Sequence, residues 1–344
     1  MRPAMLYLRR TSMKKIVYIE VGTTDPTFNL ALEEYVFEHM PRENEYFLTW
    51  RNDNAIIIGR HQNTVAEINE EFVRERGIRV VRRLSGGGAV YHDLGNLNFT
   101  FIVDAEQGQK VDLRRFCQPI ADTLCALGAN ATVDGRNDIL IDGKKISGNA
   151  QYVRQGRVMH HGTILFDSDM SVLDPALKPD PAKMQNKGVK SVRSRVTNVR
   201  PCLREDMTIE QFRTALTQSL FRGDDFVRYE LTDTDIAAIT EIQKQRYALH
   251  EWNYGFCEAA QITHKRRFEG CGSVEAHIST ENAKITSLRF HGDYFSTLPT
   301  EELAAKLIGK PLAKDALLTA LDGIPVSDYI TGLSRDDLVA LLLD

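Results

Sequence analysis

Short apolar segments, some of them alternating with polar residues as in a half-buried strand, predict several strands in the first part of the chain. They lie at residues 15–20, 46–50, 55–59, 78–81 and 97–103. Two further segments repeat apolar residues at helical spacing. One follows the capping pair Asp25-Pro26, and the other covers residues 112–127, where Pro119 predicts a kink or a helix that begins near Gln118.

Residues 137–151 are typical of a β-hairpin that turns at Asp142-Gly143. Because successive side chains of a strand point to opposite faces, Lys144 and Lys145 are expected on opposite sides of the sheet. A third strand is predicted at residues 159–166. Alternation alone leaves open which of the two lysines faces inward.

The pattern changes after residue 250. Strands are predicted at residues 273–279 and 284–295, followed by short amphipathic helices at residues 303–308, 316–321 and 338–343. Before them, residues 167–189 are polar and contain three prolines, which is typical of a long connection or a lid. We therefore predict a large domain at residues 1–252 and a small one at residues 253–344.

Composition narrows the classes of partner. A net charge of −4 gives no overall electrostatic case for nucleic acid. No apolar run approaches membrane-spanning length, and the five cysteines form no Cys-x-x-Cys pair. These features predict a cytoplasmic protein that binds neither nucleic acid nor membrane.

A glycine-rich segment at residues 82–93 carries the strongest chemical signal. Arg82 and Arg83 precede Ser85, and three consecutive glycines follow. Glycines let backbone amides approach a ligand closely, and amides turned toward one point form a concavity for an anion. A flexible turn is the plain alternative for such a loop.

Several familiar sites are missing. The chain has no Walker motif, no Rossmann fingerprint and no His-Glu-x-x-His zinc helix. His160 and His161 are adjacent on a predicted strand and so point to opposite faces, which disfavours a shared zinc site. A glycine loop, hairpin lysines and the cations of residues 190–195 instead suit nucleotide-dependent activation of a carboxylate, with Mg²⁺ on the phosphates.

Four ordered motifs resemble those of lipoate–protein ligase A in its long form, within the biotin and lipoate protein ligase family. They lie at residues 82–93, 137–151, 160–163 and 191–198, and residues 29–34 fit the same family. The resemblance implies an α+β fold: a mixed β-sheet with flanking helices, like class II aminoacyl-tRNA synthetases and biotin protein ligases, plus a small α+β C-terminal domain.

The resemblance also implies a reaction. ATP with Mg²⁺ and lipoate would give lipoyl-AMP and pyrophosphate. The lipoyl group would then pass to a lysine of lipoyl-domain acceptor proteins, either E2 subunits of 2-oxoacid dehydrogenases or the glycine-cleavage H protein. Residues 167–189 would be the adenylate-binding loop.

Residue by residue, the resemblance makes Lys145, rather than Lys144, the catalytic contact to both phosphate and carboxylate. It implies no dedicated protein site for a metal. The ATP or adenylate contacts would be Arg82, Gly87, Gly88, Ala89, Val90, Lys145 and Asp138, and the lipoate contacts would be Lys145, His161 and Arg82. Asn149 stands where a small residue is common, a difference not expected to change the reaction.

Three alternatives remain. An octanoyl or lipoyl transferase of the same fold would use a cysteine thioester without ATP, but Cys202 lies beside Pro201 without an evident base. A biotin ligase would carry more arginine within its glycine loop. A non-catalytic module that binds lipoyl domains would need neither Lys145 nor the glycine loop.

Overall fold

Eight strands pair in one mixed sheet in the order β11-β1-β2-β6-β10-β9-β8-β7. The computed structural model describes residues 14–105, 112–134, 137–177, 195–221, 226–255 and 260–344. The strands are β1 Lys15–Glu20, β2 Asn44–Trp50, β6 Asn96–Asp104, β7 Ala131–Asp134, β8 Asp138–Ile141, β9 Lys144–Arg154, β10 Arg157–Leu165 and β11 Phe226–Arg228. β1 runs parallel to β2 and β11, and the other pairs are antiparallel.

The alternation in β6 gives the sheet two different faces. Leu97, Phe99 and Phe101 belong to a buried apolar cluster on one face, which we call the core face. Helices α4 (Arg114–Ala126) and α6 (Ile209–Leu220) contribute apolar side chains to the same cluster. α4 begins at Arg114 with Pro119 inside it, so the alternative start near Gln118 is wrong.

The opposite face, which we call the polar face, carries Asn96, Asn98 and Thr100 of the same strand. Helix α1 (Pro26–His39) reaches this face, where the Thr100 hydroxyl donates to Glu33. The side chain of Asp25 caps α1 by accepting from the backbone amide of Thr27, as predicted from the Asp-Pro pair. Helix α7 (Asp233–Ile242) opens with a capping box and contacts α1, where the Tyr35 hydroxyl donates to Asp235.

The connections contain shorter elements. β3 (Ala55–Ile58) lies between β4 (Arg79–Arg82) and β5 (Val90–His92) in a small sheet. Two short helices follow β3, namely α2 (Thr64–Glu67) and α3 (Glu70–Glu75). Within the expected lid, residues 170–176 form helix α5 (Met170–Ala176). Residues 178–189 of that lid lie outside the described residues.

The C-terminal residues form a three-stranded antiparallel sheet with its own core. β13 (Gly272–Glu281) and β14 (Lys284–Gly292) pair as predicted, and β12 (Ile262–Phe268), which the pattern did not indicate, adds a third strand. Helix α8 (His250–Tyr254) precedes the sheet. Apolar residues of the strands pack with those of α9 (Thr300–Leu307), α10 (Lys314–Ala320), α11 (Val326–Tyr329) and α12 (Arg335–Leu342).

The chain forms two units. The first takes in the described parts of residues 14–57, 68–81 and 90–249, and the second those of residues 58–67, 82–89 and 250–344. Two short segments of the N-terminal half therefore belong to the second unit, whereas the predicted division at residues 252 and 253 places them in the first. That division stays a prediction, and the predicted α+β class with a mixed sheet and flanking helices is confirmed.

Among the helices in the described ranges, none is long and apolar enough to cross a membrane.

His160 should make stability depend on pH. Its ring is fully buried against Phe116, and burial lowers its pKa well below the usual range. An unfolded chain binds a proton at His160 as pH falls through about 6.5, while the folded chain does not, so acid favours unfolding. We expect His160→Gln to remove up to about 1.4 kcal/mol per pH unit from the slope below pH 6.5.

The measurement is the free energy of unfolding in urea at pH 7 and pH 5.5. His39, exposed at the end of α1, supplies the matched control, His39→Gln. An unchanged slope in His160→Gln would contradict the assignment of His160 as a buried neutral ring.

Candidate active site

The β8–β9 hairpin positions the two lysines. Asp142 and Gly143 both have positive φ, 49° and 76°, which is the geometry of a tight hairpin turn and confirms the predicted turn. Beyond the turn, the register shifts by one residue, so that Leu140 pairs with Lys145 while Ile139 pairs with Ser147. The bulge leaves Lys144 exposed and Lys145 half-buried.

Lys145 makes an ion pair with Asp138, with 2.8 Å between Nζ and Oδ1. Its side chain passes over Gly148, where an added Cβ would lie 3.1 Å from Nζ and 3.2 Å from Cε. The missing side chain at residue 148 therefore leaves the room that the ammonium group occupies. Lys145 and Asp138 are two predicted site residues that the structure brings together.

Strand register places the Lys145 ammonium on the polar face. Gly148 and Ala150 share a face of β9, and Ala150 pairs with His161 of β10. Two residues along one strand and one strand spacing separate Gly148 from His161, which is about 8 Å in the plane of the sheet. On the polar face, the Lys145 ammonium above Gly148 and the His161 ring are therefore separated by about the length of a short acyl chain.

His161 is held by a buried carboxylate. Its Nδ1 lies 3.0 and 3.1 Å from the two carboxylate oxygens of Glu33, which is 2% exposed. The Thr100 hydroxyl also donates to Glu33, and the Trp50 indole donates to the Thr100 oxygen over 3.0 Å. One chain of hydrogen bonds therefore joins α1 to the neighbouring strands β10, β6 and β2.

Two buried asparagines lie beside this chain of hydrogen bonds. Asn96 Nδ2 donates to Asn98 Oδ1 at 2.9 Å, and both side chains are almost fully buried. Asn98 Nδ2 and Asn96 Oδ1 have no hydrogen-bond partner among the described residues. Because an unpartnered buried amide is costly, a donor and an acceptor on the polar face are available to a ligand or water.

His160 and Asn149 lie on the core face. The His160 Nε2 is 3.3 Å from Asn149 Oδ1, and Gln151 donates its amide to His160 Nδ1 over 3.1 Å. The two adjacent histidines therefore face opposite sides of the sheet, as the alternation predicted. Within the described ranges no three His, Cys, Asp or Glu side chains are grouped to hold a metal ion.

Arg82 is buried, and its side chain is hydrogen-bonded inside the protein. It is 0% exposed, and burial, with Arg60 and Arg83 nearby, lowers its pKa to about 9. Every nitrogen of its guanidinium group donates within the second unit. The acceptors are the carbonyl oxygens of Gly59, Arg60, Gln62, Trp252 and Asn253 and the hydroxyl of Thr64.

The predicted contacts of Arg82 with nucleotide and lipoate stay a prediction. In the conformation described, its five N–H donors are directed to protein oxygens, so a phosphate would have to take the place of one of them. These contacts give Arg82 a role in the packing of the second unit. Burial was the property that composition and spacing could not reveal.

The glycines of the loop are likewise used by the protein. A Cβ on Gly86 would lie 2.3 Å from the Tyr294 carbonyl oxygen, and the Gly87 amide donates to that oxygen over 3.3 Å. Gly87 has φ +92°, whereas Gly88 has open space around it. Ala89 ends this segment, and Val90 begins β5. Among the three glycines of the predicted amide cradle, Gly88 is the one at which an added Cβ would meet no atom within 4 Å, so a ligand has room there.

Cys202, the cysteine considered for a thioester, lacks the features of a nucleophile. Cys202 is partly buried, and burial followed by the charge of Asp142 raises the pKa of its thiol. Its Sγ donates to the carbonyl oxygen of Asn198 over 3.5 Å. A protonated thiol is a poor nucleophile, which weakens the thioester alternative.

The cation cluster at residues 190–195 falls mostly outside the described residues, which resume at Arg195. Shortly after Arg195, the Thr197 amide donates to the Lys145 carbonyl oxygen over 3.0 Å. Residues 195–198 therefore run beside the strand that carries Lys145.

Glu33 and Thr100 were missed as site residues. Their signal was present, because Asn29 and Glu33 are four residues apart on the buried side of α1, where apolar side chains are the rule. A charged residue in that stripe needs a partner inside the protein. His161 is that partner.

A sequence model of the lipoyl protein ligase A/B catalytic domain matches residues 25–221, more than half of the chain. The chain belongs to the lipoate–protein ligase family. A second model, of the bacterial lipoate protein ligase C-terminus, matches residues 258–342, which confirms the predicted long form of this ligase.

Relatives of this ligase family match over most of the chain. The lipoate-protein ligase LplJ of Bacillus subtilis is 41% identical over 321 residues, 92% of this chain and 97% of the relative. A structure of lipoate-protein ligase A bound with ATP is 28% identical, with a TM-score of 0.61 over 71% of this chain and 99% of that one. The Thermoplasma acidophilum bi-partite ligase, studied with its E2 lipoyl domain, is also 28% identical, with a TM-score of 0.63 over 73% and 100%.

The role of Arg82 can be tested by stability. Arg82→Met keeps the length of the side chain but leaves five buried carbonyl oxygens without their donor, so we expect a loss of about 3 kcal/mol or more. Thermal and urea unfolding provide the measurement. Arg200, exposed between Asp167 and Asp206, gives the control Arg200→Met, for which little change is expected. Equal losses in the two variants would contradict the structural role.

Proposed function

We propose that the chain is an ATP-dependent lipoate–protein ligase that forms lipoyl-AMP and then lipoylates a lysine of a lipoyl domain. The observation that carries the proposal is the Lys145–Asp138 pair, held over Gly148 on the polar face of the sheet. It supports the proposal because it supplies a cation of adjustable position to lie between the carboxylate and the phosphate of the substrates.

In the first step, an oxygen of the lipoate carboxylate attacks the α-phosphorus of ATP. A new P–O bond forms, the bond to the β-phosphate oxygen breaks, and pyrophosphate leaves. Both reactants are anions, so a cation between them lowers the repulsion and stabilises the charge that develops at phosphorus. The Lys145 ammonium, a compact point charge on a flexible stem, suits this role.

Asp138 keeps Lys145 in place before substrates bind. An ammonium group held by one carboxylate at 2.8 Å retains two further N–H donors. Those donors can engage the lipoate carboxylate and the α-phosphate together without losing Asp138. Mg²⁺ would enter on the ATP phosphates and offset their charge, with no dedicated protein ligands proposed.

The acyl chain is proposed to lie along the polar face from Lys145 toward His161. Thr163 and Gly148 lie between these two residues, and the Gly148 amide donates to the Thr163 hydroxyl over 3.2 Å. Because Gly148 has no side chain and that of Thr163 is small, the surface of the sheet leaves room there for the acyl chain. The length of this path fits the short chain that joins the carboxylate of lipoate to its ring.

In the first unit, the nucleotide is proposed to contact Lys145. In the second unit, the loop of Gly87, Gly88 and Ala89 stays a predicted anion contact, and an added Cβ on Gly88 would meet no atom within 4 Å. The predicted contact of Arg82 would require one of its present hydrogen bonds to be exchanged. A relative of known structure binds ATP, which supports nucleotide use by this chain.

In the second step, the amine of the acceptor lysine attacks the acyl carbonyl of lipoyl-AMP. An amide bond forms, the bond to the phosphate oxygen breaks, and AMP leaves. The T. acidophilum relative was studied with an E2 lipoyl domain, so we propose E2 subunits and the glycine-cleavage H protein as acceptors. A cytoplasmic location, where these acceptors would be met, remains part of the proposal.

The deciding experiment replaces Lys145. Lys145→Ala should abolish lipoate-dependent release of pyrophosphate from ATP, because the two anions lose the cation that joins them. Lys144→Ala is the matched control: the residue is adjacent and exposed, so near-normal release is expected. Intact mass of a lipoyl-domain acceptor, with and without ATP, reports the complete reaction.

Two outcomes would defeat the proposal. Near-normal pyrophosphate release by a folded Lys145→Ala variant would remove Lys145 from the chemistry. Lipoylation of the acceptor from an acyl-protein donor without ATP would favour a transferase instead.

A further inference from the structure

Glu33 is an unusual residue for the buried side of a helix that packs on a sheet. It is 2% exposed, in a stripe of α1 that otherwise includes Leu30, Leu32 and Val36. Burying a carboxyl group is costly unless its oxygens are hydrogen-bonded, and a leucine at this position would pack at no such cost. Its hydrogen bonds go to His161 and Thr100, so its role is to be sought there.

The direction of these hydrogen bonds is fixed from Trp50. An indole N–H can only donate, so the Thr100 oxygen accepts from Trp50 and its own hydroxyl proton is directed to Glu33 Oε1. Both oxygens of the Glu33 carboxyl group lie within hydrogen-bond distance of His161 Nδ1. We assign the proton of this contact to Nδ1, the arrangement in which the Glu33 oxygens accept from both Thr100 and His161.

We propose that Glu33 is a positioning residue that sets the orientation and the tautomer of His161 against the tail of the acyl substrate. The inference rests on the proposed function, in which His161 contacts the far end of lipoate. Glu33 touches no substrate in this scheme. It acts by holding one edge of the imidazole, through two oxygens at 3.0 and 3.1 Å, so that the other edge faces the acyl chain.

The neighbouring Glu34 provides a matched control. It lies on the same helix but turns to Arg246 and to the Tyr247 hydroxyl, at 2.8 Å from the latter, and not to the sheet. A variant of Glu34 removes a partly buried carboxylate from α1 without changing the contacts of His161. General damage to the helix should affect both positions alike.

The first test follows the ring nitrogens of His161 by ¹⁵N NMR in the full chain without substrate. In Glu33→Gln, the amide oxygen is expected to face the Thr100 hydroxyl, because that proton still needs an acceptor. The amide NH₂ then faces His161 Nδ1, so the proton should move to Nε2. An inverted tautomer in Glu33→Gln, but not in Glu34→Gln, supports the proposal, and an unchanged tautomer overturns it.

The second test measures pyrophosphate release. Glu33→Ala should raise the KM for lipoate on the order of tenfold, the effect of losing one or two hydrogen bonds that hold a contact residue. The KM for ATP and kcat should change less than about twofold. Glu33→Gln, which keeps a bond to the ring, should give an intermediate KM for lipoate. Equal changes in both KM values and kcat would indicate general damage and overturn the proposal.

A double-mutant cycle with His161→Ala decides whether Glu33 acts through His161. If it does, the double variant should be no worse than His161→Ala alone, because the effects are not independent. Additive effects overturn the proposal. If the unaltered chain shows no lipoate-dependent pyrophosphate release, the proposed function fails, while the NMR test still decides whether Glu33 sets the ring.

Discussion

The strict alternation of β6 is the constraint on which both the core and the site depend. One set of its side chains fills the apolar cluster beneath α4 and α6, while the other set presents amides and a hydroxyl to α1. A one-residue slip in the pairing of this strand would exchange the two sets. The same register that closes the core therefore places His161 and the Lys145 ammonium on one surface.

Local signals predicted much of the fold. The Asp25 cap and the turn at Asp142-Gly143 depend on neighbours in sequence, and both formed as expected. β12 was missed because its residues, such as Lys265 and Arg266, are largely exposed and give no apolar alternation. Short-range chemistry could be recognised from the chain, and strands stabilised mainly by pairing could not.

The sequence indicated a residue of the candidate site where a motif leaves that residue type a single chemical role. Lys145 was named through a resemblance of motifs, and its placement over Gly148 agrees with that choice. The same resemblance assigned Arg82 to nucleotide and lipoate, and it gave no sign that this side chain is buried and bonded to backbone carbonyl oxygens. Glu33 was overlooked because its partner lies 128 positions away in the chain. Partners at such distances are set by the tertiary fold.

The network around Arg82 has a consequence for sequence variation. Five of the six oxygens that accept from its guanidinium group belong to the main chain, and the Thr64 hydroxyl is the exception. A main-chain carbonyl oxygen does not depend on the identity of its own side chain, but some of these positions are restricted for other reasons. The side chain of Gln62 accepts from the Gly59 amide, and the Trp252 indole donates to the Arg82 carbonyl oxygen. A Cβ at Gly59 would lie 1.9 Å from the Gly87 carbonyl oxygen. Substitution at Gly59, Gln62 or Trp252 would therefore disturb an arrangement that involves several segments of the chain.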